Sequence, residues 1–137
     1  MKRKYRNKET RKFRSKLEET CWNLLTEANI DFFYEPFKIP ICQGLTYQED
    51  SWEKVGKNYE LQKKNVLGVK YIPDFVSHSS FDKVTWLIET KGFLTPVSRL
   101  KWKLFKQWLI NNNYKWTLFM PTNRNEIEQS IKVILKK

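Results

Sequence analysis

The most constraining feature of the sequence is a pair of short β-prone segments that each carry a carboxylate. Residues 69–77 and 83–90 are rich in Val, Ile and aromatic side chains, and a short polar, turn-like stretch separates them. This spacing predicts an antiparallel hairpin. Asp74 lies in the first segment and Glu89 near the end of the second, so pairing of the two strands can place their carboxylates side by side.

Helical and β-prone patterns on either side of this hairpin predict further elements. Apolar residues at helical spacing indicate three helices, and Thr95 followed by Pro96 marks the start of the second one. Aromatic and β-branched runs indicate two more strands. The predicted helices cover residues 12–28, 96 to about 111, and 125–135, and the additional strands cover residues 30–39 and 116–120.

The predicted order α-β-β-β-α-β-α fits an α/β fold with a mixed central β-sheet flanked by α-helices. A chain of 137 residues has room for one core, so we expect a single domain over residues 1–137. Residues 42–68 carry three glycines and no sustained periodicity. A loop and a small hairpin insertion are both open for this segment.

The net charge of +11 favours a polyanionic partner, because each Lys or Arg placed against a phosphate releases a condensed counterion. Residues 1–11 are expected to form a flexible basic arm that contacts nucleic acid, and the alternative is a solvated basic tail. Further cations share one face of the second predicted helix. The candidate DNA contacts are Lys4, Arg6, Arg11, Lys12, Arg14, Arg99, Lys103 and Lys106.

Composition also excludes several classes of protein. The sequence contains no run of about 18 apolar residues that could span a membrane, and the N-terminus shows no apolar secretory segment, so we expect a cytoplasmic protein.

Two cysteines, Cys21 and Cys42, and one histidine, His78, are too few for a disulfide framework or a structural zinc site. Free thiols are the expected state.

The residues that predict chemistry end the third predicted strand. Since residues two apart in a strand face the same side, Glu89 and Lys91 project together. With Asp74 beside them, two carboxylates and one amine meet, and carboxylates that repel one another favour a bound cation. Mg²⁺ takes hard oxygen ligands of this kind, and Mn²⁺ is expected to substitute for it. The combination predicts metal-assisted phosphodiester hydrolysis, with Lys91 assisting the nucleophile.

Pro73-Asp74 followed by Glu89-x-Lys91 resembles the active-site pattern of the PD-(D/E)XK nuclease superfamily. A closer similarity is to the phage endonuclease I family of Holliday junction-resolving enzymes, whose landmarks occur here in the same order over about residues 12–95. These landmarks are Ser15-x-Leu17-Glu18, Tyr34-Glu35-Pro36, Pro73-Asp74-Phe75 and Glu89-Thr90-Lys91-Gly92. The segment before Pro73 is longer than that family leads us to expect, and so is the gap from Asp74 to Glu89.

The resemblance implies a restriction-endonuclease-like core and a Mg²⁺-dependent endodeoxyribonuclease that selects branched DNA such as four-way junctions. It implies that Glu18, Asp74 and Glu89 bind the metal. The peptide carbonyl of Thr90 would be a further ligand, and Lys91 would be catalytic. It also implies an intertwined homodimer, located in the host cytoplasm if the protein is phage-encoded.

Several alternatives remain open at this point. Glu18 could serve only to cap the first helix, because Ser15 three residues earlier completes a capping-box pattern. Glu89 could be a charge paired with Lys91 that protects a sheet edge. The whole protein could be a non-catalytic basic nucleic-acid-binding protein. It could also be another nuclease of the same fold, such as a transposase cleavage subunit, a restriction enzyme or a repair nuclease.

Overall fold

The structure, a computed structural model, describes residues 13–136. The predicted basic arm of residues 1–11 lies outside the described residues. Four of the predicted DNA contacts lie outside them as well, namely Lys4, Arg6, Arg11 and Lys12.

Within residues 13–136, three α-helices occur where the sequence predicts them. They are α1 (Lys16–Glu27), α2 (Pro96–Asn111) and α3 (Arg124–Lys136). The predicted start of α2 is confirmed, because Thr95 is its N-cap and Pro96 its first residue. Thr95 and Ser98 form a reciprocal capping box in which each side chain accepts the other's backbone N–H.

The strands are short, and there are more of them than the sequence predicts. They are β1 (Phe33–Tyr34), β2 (Ile39–Cys42), β3 (Leu45–Thr46), β4 (Trp52–Val55), β5 (Asn58–Leu61), β6 (Asn65–Val66), β7 (Val69–Tyr71), β8 (Phe75–Val76), β9 (Trp86–Ile88) and β10 (Thr117–Phe119). The central sheet has the order β1-β8-β9-β10, with β9 and β10 parallel and the other pairs antiparallel. The predicted α/β class with a mixed sheet is therefore confirmed, as is the β8–β9 hairpin.

Two strands that the sequence predicts as continuous are broken, which corrects the prediction. The run over residues 30–39 divides at Glu35, whose positive φ of 48° takes the chain out of β geometry before Pro36. The run over residues 69–77 divides at Pro73, which has no N–H to donate to a ladder. Asp74 therefore lies in the break between β7 and β8 and not within a strand.

The sheet separates two apolar clusters, as expected for side chains that alternate between the faces of a strand. Phe75 and Ile88 face a cluster built with α1 and α3, whereas Val76 and Leu87 face a cluster built with α2 and β2. Phe32, Phe75, Phe105, Leu25 and Ile127 are among the largest side chains that are fully buried. The three helices thus cover both faces of one sheet.

Residues 43–68 form a hairpin, so the segment that the sequence left open between a loop and a small hairpin is a hairpin. We term residues 43–68 the arm, which is distinct from the basic residues 1–11. The β3–β6 and β4–β5 ladders continue the β2–β7 pair outward, and a two-residue turn joins Val55 to Asn58. Gly56 supplies the positive φ of 62° that such tight turns require. Apart from half-buried Ser51 and Gln62, every residue of the arm is exposed.

Helical spacing in the sequence predicts an apolar face of α2, and this prediction needs one correction. The predicted face comprises Val97, Leu100, Leu104, Phe105, Trp108 and Leu109. Phe105 and Leu109 are buried as predicted, but Val97 and Leu100 are 65% and 57% exposed. They lie in the first turns of α2, before the helix reaches the cluster around Phe105.

Among the helices of residues 13–136, none is long and apolar enough to cross a membrane. Cys21 and Cys42 are free thiols.

Candidate active site

Strand register places Asp74 opposite Glu89. Phe75 pairs with Ile88 in the antiparallel β8–β9 ladder, so the residues immediately before and after them face each other at the same edge of the sheet. Asp74 is 4% exposed and Glu89 is 5% exposed. Two carboxylates are therefore buried next to one another, as the sequence predicts.

Glu89 and Lys91 project together because the chain stays extended beyond β9. The Glu89 N–H donates to the Phe119 carbonyl over 2.9 Å, and the Lys91 N–H donates to the Pro121 carbonyl over 3.0 Å. Nζ of Lys91 lies 3.2 Å from Oε2 of Glu89. This contact gives the predicted juxtaposition of one amine with the acidic pair.

Two buried hydroxyl groups hold the acidic pair in place. Tyr71 donates a hydrogen bond of 2.6 Å to Oε1 of Glu89. Thr90 donates to Oδ2 of Asp74 twice, through its backbone N–H at 2.9 Å and through its hydroxyl at 2.8 Å. The N–H and side chain of Thr90 thus orient Asp74, and the predicted metal contact of the Thr90 carbonyl stays a prediction.

Burial makes the charged forms of both carboxylates costly. Burial, followed by the charges of Glu89 and Glu18, raises the pKa of Asp74 to about 8, although the hydrogen bonds from Thr90 oppose this shift. Burial also raises the pKa of Glu89, against the opposing effects of Tyr71 and Lys91. In the absence of a cation, the pair therefore favours retention of a proton near neutral pH.

Glu18 lies in the first turn of α1 and acts electrostatically on Asp74. Its backbone N–H donates to the Ser15 hydroxyl over 3.1 Å, so Ser15 is the N-cap of α1. Its carboxylate, however, accepts a hydrogen bond from the Tyr34 hydroxyl. Since Glu18 is buried and its charge raises the pKa of Asp74, it lies within electrostatic range of the site. Its carboxylate therefore contacts Tyr34 and Arg14 near Asp74, whereas its backbone N–H takes part in the helix cap.

Arg14 links the acidic groups at this end of α1. Its Nε lies 3.9 Å from Oε2 of Glu18, and its Nη2 pairs with the carboxylate of Glu35. The backbone N–H of Glu35 in turn donates to the carbonyl of Asp74 over 2.9 Å. The left-handed backbone at Glu35 is a sparsely populated conformation, and such strain occurs preferentially at functional sites.

The residues fit a hard divalent cation, although they do not form a complete cage as they stand. Within residues 13–136, no group of three or more His, Cys, Asp and Glu side chains is close enough together to hold a metal ion. Mg²⁺, however, is commonly bound through one or two carboxylates, with waters and substrate phosphates completing the shell. Asp74 and Glu89 offer such a pair. Burial first, and then the charges of Glu89 and Glu18, raise the pKa of Asp74, and a cation between the two carboxylates would offset both effects.

The predicted DNA contacts that the structure describes fall in different places. Arg14 lines a cleft beside Glu89, together with Lys70, Lys91 and Lys101, which the sequence does not predict as DNA contacts. Arg99, Lys103 and Lys106 are exposed on α2 but are not among the residues that line this cleft.

Sequence reasoning missed four residues at the site. Tyr34 and Tyr71 bond to the carboxylates, and Lys70 and Lys101 line the cleft. Tyr34 belongs to the landmark motif Tyr34-Glu35-Pro36, and that motif could have identified it as a site residue. For Tyr71, alternation along β7 indicates an inward side chain, but the break at Pro73 decides which carboxylate it reaches.

Comparison of the chain with protein-family models, with curated proteins and with solved structures finds no match, so the case for a function rests on the sequence and on the geometry of this site.

Proposed function

We propose that this protein is a metal-dependent endonuclease that hydrolyses phosphodiester bonds in DNA. The observation that carries the proposal is the arrangement of Asp74, Glu89 and Lys91. Two buried carboxylates face each other across a strand pair, and an amine lies 3.2 Å from one of them at the mouth of a basic cleft. A purely structural ion pair would not require a second buried carboxylate beside it, because that adds repulsion without compensation.

Asp74 and Glu89 would hold Mg²⁺ or Mn²⁺, and Glu18 would contribute directly or through water. When bound, such an ion supplies positive charge that polarises the scissile phosphate and activates water for attack. The chain's own residues prepare this site: Thr90 fixes Asp74, and Tyr71 fixes Glu89. Nζ of Lys91 lies 3.2 Å from Oε2 of Glu89, so its charge would lie beside a phosphate held by a metal ion at Glu89 and would offset the negative charge that develops there.

The finer features of the proposal come from the resemblance in sequence. These are a restriction-endonuclease-like core, selectivity for branched DNA such as four-way junctions, and action as a homodimer. A dimer is the simplest assembly that cuts two strands at related positions. Support for DNA as the substrate comes from the net charge of +11 and from the basic residues around the cleft.

The decisive experiment is cleavage of a labelled four-way junction beside a linear duplex of the same sequence. The protein is assayed with Mg²⁺ and with EDTA, and wild type is compared with Glu89→Gln. The matched control is Glu27→Gln, which removes an exposed carboxylate at the far end of α1. We expect cleavage that requires Mg²⁺, is lost in Glu89→Gln and persists in Glu27→Gln.

The substrate pattern separates the remaining alternatives. Symmetric cuts in the junction with the duplex spared would support the branch-selective nuclease. Cutting of both substrates would keep the nuclease and remove the branch selectivity. Binding without cutting under every condition would overturn the catalytic proposal and leave a basic nucleic-acid-binding protein.

A further inference from the structure

A cleft of about 300 Å³ opens beside the acidic pair, between β7, the residues after β9 and the start of α2. Four of the described residues that line it are basic and one, Glu89, is acidic. The basic residues are Arg14, Lys70, Lys91 and Lys101. The cleft therefore has an excess of positive charge within reach of the candidate metal ligands, which favours an anionic occupant.

Two of these cations have no acidic partner among residues 13–136. Arg14 is engaged with Glu18 and Glu35, and Lys91 is engaged with Glu89. Lys70 and Lys101, by contrast, form no ion pair with another described residue, and both are exposed. Their ammonium groups are therefore available to a ligand without first breaking an ion pair to another of the residues that the structure describes.

Apolar side chains form another part of the cleft wall. Ile72 and Val97 are 37% and 65% exposed, although both are large hydrophobic side chains. Trp102 is half-buried and packs edge-on against Tyr71, with 6.4 Å between the ring centroids. The surface combines the ammonium groups of Lys70 and Lys101 with exposed apolar side chains. Such a surface matches a nucleic-acid strand, which presents negative charge on its phosphates and apolar faces on its sugars and bases.

The start of α2 does not itself supply the anion site. The backbone N–H of Thr95 donates to the Ser98 hydroxyl at 2.9 Å, and the N–H of Ser98 donates to the Thr95 hydroxyl at 3.0 Å. These amides are satisfied within the capping box. The charge offered to a ligand in the cleft therefore comes from the lysines.

We propose that this cleft binds the DNA strand immediately next to the scissile phosphate. Lys70 and Lys101 contact the flanking phosphate, and Trp102 with Val97 packs against the adjoining sugar or base. This inference rests on the proposed function, which it deepens by assigning a substrate subsite to residues that the sequence patterns did not single out.

Helical geometry separates Lys101 from the cations that the sequence predicts as DNA contacts. At about 100° per residue, Lys101 lies roughly 160° around α2 from both Arg99 and Lys103. A strand seated in the cleft therefore meets Lys101 and faces away from the other two. The two lysines at positions 70 and 101 come from separate elements, so only the tertiary structure brings them to one cleft.

The test is binding of a labelled duplex and of a four-way junction to the full chain in EDTA, measured by fluorescence anisotropy over a range of salt concentrations. The test variant is Lys70→Gln with Lys101→Gln. The control variant, Lys115→Gln with Lys132→Gln, removes the same charge from exposed lysines outside the cleft. A third variant, Lys70→Arg with Lys101→Arg, keeps the charge. Circular dichroism and melting curves establish that each variant is folded.

We expect the Lys70→Gln, Lys101→Gln protein to bind about tenfold or more weakly, with the salt dependence of log K reduced by about 1 to 2. The arginine variant is expected to retain most of the affinity, and the control variant to lose less than about threefold. Equal losses in the test and control variants, with equal salt dependence, would overturn the subsite. Since binding is measured without Mg²⁺, a protein that binds through the cleft but cuts nothing would support the subsite and overturn the nuclease.

Discussion

The hydroxyl of Tyr71 donates a hydrogen bond of 2.6 Å to Oε1 of Glu89 in the interior of the protein. The other carboxylate oxygen lies 3.2 Å from Nζ of Lys91, so Glu89 is held from two sides. The Tyr71 ring itself packs against Phe105, with 4.8 Å between the centroids. Tyr71 therefore acts as a positioning residue, whose ring is fixed by packing and whose hydroxyl fixes the carboxylate.

Replacement of Tyr71 by Phe is expected to weaken metal binding more than folding. The substitution keeps the ring contacts and removes the donor to Glu89, and loss of such a supporting hydrogen bond commonly costs about 10- to 100-fold in metal affinity or activity. The free energy of unfolding should fall by only about 1 kcal/mol. The measurements are Mn²⁺ titration by calorimetry and the Mg²⁺ concentration that gives half-maximal cleavage.

The control for this experiment is Tyr59→Phe, because Tyr59 is 71% exposed in the arm and distant in the fold from the acidic pair. Tyr59→Phe should leave both metal measurements unchanged. An unchanged metal affinity in Tyr71→Phe would show that Glu89 does not depend on this bond for its position.

Stability of the metal-free protein should fall as pH rises through neutrality. The pKa of Asp74 is raised from its ordinary 3.8 to about 8, so the folded state binds this proton more tightly than the unfolded state does. The stabilisation from that proton is complete below pH of about 4 and is lost as pH rises through about 8. Melting temperatures in EDTA between pH 5 and 9 test this, and added Mg²⁺ should restore stability at the alkaline end.

Asp74→Asn is expected to make the metal-free protein more stable at pH 8. The neutral side chain avoids the cost of burying a charge, removes the repulsion with Glu89 and Glu18, and keeps an oxygen that can accept from Thr90. A gain on the order of 1 kcal/mol corresponds to a rise of about 4 °C in the melting temperature of a domain of this size. Cleavage should be lost in the same variant. A melting temperature below that of wild type at pH 8 in EDTA would contradict the proposed repulsion.

Removal of the outer part of the arm should leave the core intact. No residue of the arm belongs to either buried cluster. Tyr47 and Lys64 are already joined, because the Tyr47 N–H donates to the Lys64 carbonyl over 2.8 Å. Replacement of residues 48–63 by Asn-Gly, a pair that favours two-residue hairpin turns, should lower the free energy of unfolding by less than about 1 kcal/mol.

A core substitution sets the scale for that measurement. Ile39 is fully buried in β2, so Ile39→Ala should cost about 2 to 5 kcal/mol in the same denaturation assay. The arm deletion and Ile39→Ala are compared by the free energy of unfolding that each one loses. Equal losses would contradict the expectation that the core is stable without the outer part of the arm.

Loss of Arg99 and Lys103 should weaken DNA binding less than loss of the cleft lysines does. Arg99→Gln with Lys103→Gln removes the charges on the face of α2 that turns away from the cleft, where only more distant phosphates can be reached. We expect a loss of about threefold in affinity, with the position of cleavage unchanged. Anisotropy and mapping of the cleavage site would measure both, and a shifted cut site would show that these residues set the register of the DNA.

Local sequence was sufficient for the three helices among residues 13–136, for the pairing of β8 with β9 and for the side that Glu89 and Lys91 share. The apolar spacing along α1, α2 and α3 predicted all three helices, because helix amphipathicity depends on residues three and four apart. The turn between β8 and β9 predicted their pairing, and the two-residue repeat of a strand predicted that Glu89 and Lys91 share a side. These are short-range relationships, and the sequence contains them completely.

Long-range contacts decided the rest. Whether residues 30–39 formed one strand or two depended on a left-handed backbone at Glu35, which Arg14 and Asp74 contact from distant parts of the chain. The sequence offered Ser15 as a capping partner for the Glu18 side chain, but the fold brings the Tyr34 hydroxyl to the Glu18 carboxylate from another element. Tyr71 reaches Glu89, and Lys70 meets Lys101, only because separate elements pack together. Sequence periodicity specifies which face a side chain occupies, whereas its partner across the fold is set by the packing of the elements, which no local pattern encodes.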